Sequence, residues 1–125
     1  MSGVNCCAGP GANTLIFSCS GAADVGEIAD RTARKLTRDR AGKMFCLAGV
    51  GGRVASILKI TGSADRLLAI DGCTQNCASS CLQEAGFEGF ASLRLAELGL
   101  EKGLSPATDE TVARAAEAAV GILAA

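Results

Sequence analysis

Cysteine is the residue type in this chain that is best equipped to do chemistry. The sequence has seven cysteines in 125 residues and no histidine, tryptophan or tyrosine. Without histidine, a Ser-His or Cys-His nucleophilic mechanism has no general base. The remaining chemistry must use sulfur, carboxylates or the backbone, and thiols serve both as ligands for soft metal ions and as redox centres.

Four of the cysteines have the spacing expected of one shared site. Cys19, Cys46 and Cys73 each come at or just after the end of a strand candidate, and Cys77 follows Cys73 by four residues, one turn of a helix expected to open at Thr74. Neighbouring parallel strands lie about 4.8 Å apart, and two sulfurs of a tetrahedral zinc site lie about 3.8 Å apart. The sequence therefore predicts a four-thiolate site for zinc or another thiophilic ion.

Other uses of the same thiols remain open. Four soft ligands without a histidine or carboxylate favour a structural or carrier zinc ion over a catalytic one, and hence metal binding, sensing or carrying over catalysis. The alternative is a thiol-redox enzyme or sulfur carrier in which Cys73 is the reactive cysteine and Cys77 or Cys19 resolves it. An iron-sulfur protein is a variant of the metal hypothesis.

Three further cysteines have less specific interpretations. Cys81 continues the four-residue spacing and is either a fifth sulfur or a core residue, of which we favour the core. Cys6 and Cys7 lie in an N-terminal stretch, residues 1–13, that we expect to be flexible. They are either free surface thiols or ligands brought to the site by that segment.

The elements that must position these thiols alternate along the chain. Apolar runs predict strands at 14–18, 43–47, 66–70 and, more weakly, 92–98. Apolar residues at helical spacing predict helices at 24–40, 53–60, 74–85 and 108–123, with 49–52 as a glycine-rich loop.

Strands that alternate with helices through short connections are typical of a parallel sheet covered on both faces. We therefore predict one α/β metal-binding domain over residues 14–125, a three-layer α/β/α sandwich with a small, mainly parallel four-stranded sheet. Its topology is expected to be Rossmann-like or flavodoxin-like. In such sheets, ligands bind at the carboxyl ends of the strands, where the cysteines fall.

Charge and composition exclude several classes of protein. Twelve basic and 13 acidic residues give a net charge of −1, so we expect neither a nucleic-acid nor a membrane partner, and the metal ion is the one partner expected. Residues 1–11 carry no Lys or Arg and are broken by Gly9, Pro10 and Gly11, unlike a secretory signal. We expect the cytoplasm, where cysteines stay reduced.

The ordered motifs from about Thr14 to Gly86 resemble a known family. They are Cys19-Ser-Gly, Val25-Gly-Glu-Ile-Ala-Asp30, Lys43-Met-Phe-Cys-Leu-Ala-Gly-Val-Gly51 and Ile70-Asp-Gly-Cys-Thr-Gln-Asn-Cys-Ala78. As a set they are similar to the small bacterial DGC-domain proteins, described as zinc-binding and named for the Asp-Gly-Cys tripeptide. The resemblance implies metal ligands at Cys19, Cys46, Cys73 and Cys77, and it supplies no reaction.

Overall fold

The computed structural model describes residues 13–125 of the chain. The expected N-terminal segment, with Cys6 and Cys7, lies outside the described residues except for Asn13, whose carbonyl accepts hydrogen bonds from the amides of Asp65 and Arg66 at 3.0 and 3.4 Å. The strands are β1 (Thr14–Ser18), β2 (Lys43–Met44), β3 (Arg66–Asp71) and β4 (Ala91–Arg94). The α-helices are α1 (Asp24–Arg38), α2 (Leu47–Gly51), α3 (Ala55–Gly62), α4 (Cys77–Glu84) and α5 (Asp109–Ala124), with a 3₁₀ helix at Leu95–Leu98.

The strands form one parallel sheet in the order β2-β1-β3-β4. β2 pairs with one edge of β1, and β3, the next strand along the chain, pairs with the opposite edge of β1. The strand order therefore reverses between β1 and β3, whose pairing extends from Thr14 opposite Arg66 to Ser18 opposite Ile70. The crevice at such a reversal point, outside the carboxyl ends of the strands, is where open α/β sheets bind ligands.

Side chains of successive strand residues enter two separate cores, one on each face of the sheet. Ile16 packs in the core beneath α1 and α5, whereas Leu15 and Phe17 pack in the core beneath α2, α3 and α4. Both central strands are buried on their two faces, which explains why they read as continuous apolar runs. The predicted α/β sandwich with a four-stranded parallel sheet is confirmed.

Two element boundaries on the α2 side differ from the sequence prediction. The strand expected at 43–47 ends at Met44, because Cys46 already caps α2 with its sulfur, which accepts the Gly49 amide at 3.3 Å. The loop expected at 49–52 is mostly the helix α2. This short helix packs Val50 into the core, so tertiary burial outweighs the helix-weakening glycines around it.

Two further boundaries differ near the carboxyl ends of β3 and β4. The helix expected from residue 74 begins at Cys77, because Asn76 has a left-handed backbone with φ 55° and cannot continue a helix. The strand expected at 92–98 ends at Arg94, and Leu95 is buried in a 3₁₀ helix instead. Within residues 13–125, no helix combines the length and the apolar character that a membrane crossing requires.

Asp24 at the start of α1 holds a distant loop rather than closing the capping box that its spacing with Glu27 suggests. Its carboxylate accepts the amides of Val25 at 2.7 Å, Gly103 at 2.9 Å and Ser105 at 3.1 Å. These backbone hydrogen bonds, first of all that from Gly103, lower the pKa of the Asp24 carboxyl below its ordinary value. The ionised side chain therefore ties the segment before α5 to α1.

We expect Asp24→Asn to lower the free energy of unfolding at pH 7, because the neutral amide accepts these hydrogen bonds less strongly. A carboxyl with a lowered native pKa stabilises the fold above its unfolded pKa, and this contribution disappears as the pH falls through the native pKa. The free energies of unfolding of variant and wild type, measured in urea, should therefore differ at pH 7 and become equal at acid pH. The exposed Asp65→Asn is the control, and an effect of Asp24→Asn that does not change with pH would contradict the assignment.

Candidate metal centre

The structure places three of the four candidate cysteines after adjacent parallel strands. Cys19 follows β1 directly, and its amide donates to the Ile70 carbonyl of β3 at 3.0 Å, which extends the β1–β3 pairing by one residue. Cys46 comes two residues after β2 and Cys73 two residues after β3. All three thus come at the carboxyl edge of the sheet, and Cys19 and Cys73 stand on either side of the reversal point.

Cys19 lies in a partly buried environment that its own contacts define. Its Sγ accepts the Gly72 amide at 3.1 Å, and the side chain packs with Cys73 against the core beneath α1 and α5. Burial raises the pKa of the Cys19 thiol, the Gly72 hydrogen bond lowers it, and the charges of Asp71, Cys73 and Cys77 raise it further. Cys73 and Cys77 are therefore near enough to influence the ionisation of Cys19.

Cys46 occupies a different local environment from Cys19. It is the N-cap residue of α2, where its Sγ accepts the Gly49 amide at 3.3 Å, and its side chain is exposed. It is not among the groups that shift the pKa of Cys19. The sheet brings Cys46 to the same edge, while its side chain is engaged with its own helix.

Cys73 and Cys77 are connected by a turn, not by a shared helix as the sequence analysis expected. The amide of Asn76 donates to the carbonyl of Cys73 at 3.2 Å, and Cys77 is the first residue of α4. Only Cys77 therefore lies within the helix terminus whose dipole favours an anionic sulfur, and Cys73 precedes it. On α4 the pair at true helical spacing is Cys77 and Cys81, and Cys81 packs against the core, as expected.

A buried carboxylate fixes this turn to the sheet. Asp71, the last residue of β3, is 1% exposed. Its Oδ1 accepts the amides of Ala78 at 2.8 Å and Ser79 at 3.4 Å, and its Oδ2 accepts the Ser79 hydroxyl at 2.5 Å. It satisfies amides in the first turn of α4 and so caps this helix from the end of β3.

Gly72 is required by close packing and not by an unusual backbone angle. A Cβ at this position would lie 2.7 Å from the carbonyl oxygen of Val25 and 3.2 Å from the sulfur of Cys19. The backbone directly after β3 therefore passes against α1 at the point where the Gly72 amide donates to the Cys19 sulfur. Gly21, two residues after Cys19, by contrast has open space around its Cβ position.

The described cysteines are collected at one edge without being assembled into a ligand set. Within residues 13–125, no three Cys, Asp or Glu side chains are grouped closely enough to hold a metal ion. The donor chemistry nevertheless fits a soft ion, since the sulfurs of Cys19 and Cys46 both accept backbone amides, the kind of hydrogen bond that supports sulfur ligands. The assignment of Cys19, Cys46, Cys73 and Cys77 as ligands remains a prediction.

Sequence reasoning missed a cleft beside the cysteines. A volume of about 280 Å³ lies at the carboxyl ends of β3 and β4, and its lining residues are Cys73, Thr74, Asn76, Arg94, Ala96 and Glu97. Arg94 and Glu97 fall within the segment expected to be a plain strand. No sequence motif marks them, and only the 3₁₀ helix after β4 brings them to the turn that carries Cys73.

Comparison with known proteins gives one family and one curated relative. The sequence model of the DGC-domain family matches residues 15–119 of the chain. The anaerobic and virulence modulator AnvM of Pseudomonas aeruginosa is 38% identical over 88 residues, which cover 70% of this chain and 67% of AnvM. No solved structure matches the chain significantly.

We expect Gly72→Ala to lower the free energy of unfolding by about 1–3 kcal/mol, because the added methyl group meets a fixed backbone carbonyl. Gly21→Ala is the matched control and should have little effect, since its Cβ meets no atom within 4 Å. Urea denaturation of the reduced proteins measures both. Equal stability of the two variants would contradict the close approach of β3 to α1.

We expect Asp71→Ala to lower the free energy of unfolding by about 1–3 kcal/mol, because the amides of Ala78 and Ser79 and the Ser79 hydroxyl lose their acceptor. Hydrogen exchange should also become faster at these amides than at those of α5. The exposed Asp65→Ala provides the control. Unchanged exchange in the first turn of α4 would show that the helix does not depend on Asp71.

Proposed function

Because the chain belongs to the DGC-domain family, we propose that it binds a thiophilic metal ion, zinc in the first place, through Cys19, Cys46, Cys73 and Cys77. The role that follows is to bind, sense or carry the ion and not to catalyse a reaction. The chain has no histidine to act as a base, and four sulfur donors leave no position for a reacting water.

The observation that carries the proposal is the environment of Cys19. Its sulfur lies at the reversal point of the sheet and accepts an amide from Gly72. Cys73 and Cys77 are both close enough to act on its ionisation. A cation placed among these groups would offset their mutual repulsion, because thiolates are the forms of cysteine that bind metal.

Each ligand has a separate task in this proposal. Cys19 and Cys73 provide the partly buried part of the site, and the Gly72 amide supports the anionic sulfur of Cys19. Cys46 and Cys77 have exposed side chains, whose rotamers can change without repacking the core. When bound, the ion would offset part of the negative charge of the thiolates and link the ends of three strands.

The name of the relative suggests how such an ion would be used. AnvM is named as a modulator, and we extend that sense to this chain as a regulatory response to metal occupancy. A reducing compartment, the cytoplasm in our proposal, would keep the thiols available as ligands. Nucleic acid and membranes are not part of the proposal, given the net charge of −1.

The geometry gives less support to a thiol-redox enzyme or sulfur carrier. Burial raises the pKa of Cys19, which disfavours this thiol as the cysteine that resolves a disulfide formed at Cys73. Such an enzyme requires one thiol, Cys73 in this reading, to react with iodoacetamide much faster than the others. Mass spectrometry of partly alkylated, metal-free protein distinguishes the two functions, because a metal site requires no single fast thiol.

We expect the protein purified without added metal to contain about one thiophilic ion per chain, and Cys73→Ser to lose it or to bind it at least about tenfold more weakly. Elemental analysis under anaerobic conditions measures the stoichiometry, and competition with a chromogenic chelator measures affinity. X-ray absorption at the metal edge should show sulfur neighbours.

Cys81→Ser is the matched control for this experiment, because Cys81 is also partly buried and packs against the core beneath α4. It should keep the full metal content. Substoichiometric metal in the wild-type protein, or equal affinity of Cys73→Ser and Cys81→Ser, would overturn the proposed function. Visible colour with an absorption band would instead identify an iron-sulfur cluster.

A further inference from the structure

The cleft between the ends of β3 and β4 contains opposite charges that do not neutralise each other. Arg94 is the last residue of β4, and Glu97 lies three positions later in the 3₁₀ helix. Both side chains are exposed, and neither forms a hydrogen bond or ion pair with any residue of the described chain 13–125. The cleft therefore offers one cation and one anion to a ligand.

Asn76 adds an acceptor to this pair of charges. It lines the same cleft, and its Oδ1 is buried without a hydrogen-bond partner among the described residues. A buried polar atom without a partner is destabilising, and a ligand that donates a hydrogen bond to it would remove that cost once the Asn76 side chain rotates to present its oxygen to the cleft. Asn76 and Glu97 are therefore both complementary to a hydrogen-bond donor on the ligand, whereas Arg94 is complementary to an anionic group.

The remaining lining residues and the cleft volume restrict the size of the ligand and the chemical character of its side chain. Cys73 and Ala96 supply a thiol and a methyl group, which suit a short apolar or sulfur-containing group. The volume of about 280 Å³ suits a small molecule. A simple anion would meet the carboxylate of Glu97, and a simple cation would meet the guanidinium of Arg94, so neither satisfies the whole cleft.

A contrasting cleft on the α1–α5 side supports this choice. It is lined by Arg31, Arg34, Lys35 and Arg38, but the first three of these cations already pair with carboxylates of the chain. The charges beside Cys73 have no such partners among residues 13–125. The position at the carboxyl edge of a parallel sheet is also the usual place for a ligand.

We propose that this cleft binds a small zwitterionic α-amino acid, with its carboxylate on Arg94, its ammonium group between Glu97 and the Oδ1 of Asn76, and its side chain toward Cys73 and Ala96. The proposal requires no metal and no covalent step. Its success or failure is therefore separate from that of the metal site, although both use the same edge of the sheet.

The test compares three matched probes with the full-length protein under reducing conditions. S-methyl-L-cysteine carries both charged groups and no reactive thiol, 2-(methylthio)ethylamine lacks the carboxylate, and 3-(methylthio)propionate lacks the ammonium group. NMR titration of the backbone amides gives the dissociation constants. We expect shifts at residues 73–76 and 94–97, and binding of the zwitterion at least about tenfold tighter than that of either analogue.

Two variants assign the charged groups separately. Arg94→Gln should weaken S-methyl-L-cysteine by about tenfold and leave the amine analogue unchanged, and Glu97→Gln should abolish the preference over the propionate analogue. Arg38→Gln, an exposed arginine on α1, is the control and should bind like wild type. Equal binding of the three probes, shifts elsewhere in the protein, or wild-type selectivity in both cleft variants would overturn the proposal.

Discussion

The carboxyl edge of this sheet depends on one buried carboxylate. Asp71 ends β3 and accepts hydrogen bonds from the first turn of α4, so it fixes the strand and the helix relative to each other. The turn between them is short and carries Cys73 and Asn76 over the end of the sheet, to Cys77 at the start of α4. Gly72 completes this constraint, because only a residue without a side chain lets β3 pass against α1 at that point.

The fold was largely predictable because its signals are long and redundant. β1 and β3 are continuous apolar runs buried on both faces, and α1 and α5 carry apolar positions at helical spacing. The element boundaries that were predicted wrongly depend on single interactions, which the hydrophobic pattern of the sequence does not reveal. Cys46 ends β2 by accepting the Gly49 amide, and Asn76 delays α4 by adopting a left-handed backbone. Local contacts of this kind compete with propensity and override it.

The candidate site was predictable in position but not in detail. Alternating strands and helices place Cys19, Cys46 and Cys73 at one edge, whatever the exact helix boundaries. Spacing cannot show that Cys46 turns toward its own helix, nor that no three donors in residues 13–125 are already grouped. No sequence pattern marks the cleft beside Cys73, since Arg94 and Glu97, which have no charged partner in the described part of the chain, look in sequence like ordinary surface residues.

The short outer strands also affect how the molecule meets other copies of itself. β2, at one margin of the sheet, contains two residues, and β4, at the other, contains four. Edge strands of this length expose few consecutive backbone donors and acceptors, so an extended chain from another molecule can form few hydrogen bonds with them. Strand-to-strand association between molecules through β2 or β4 is thereby discouraged.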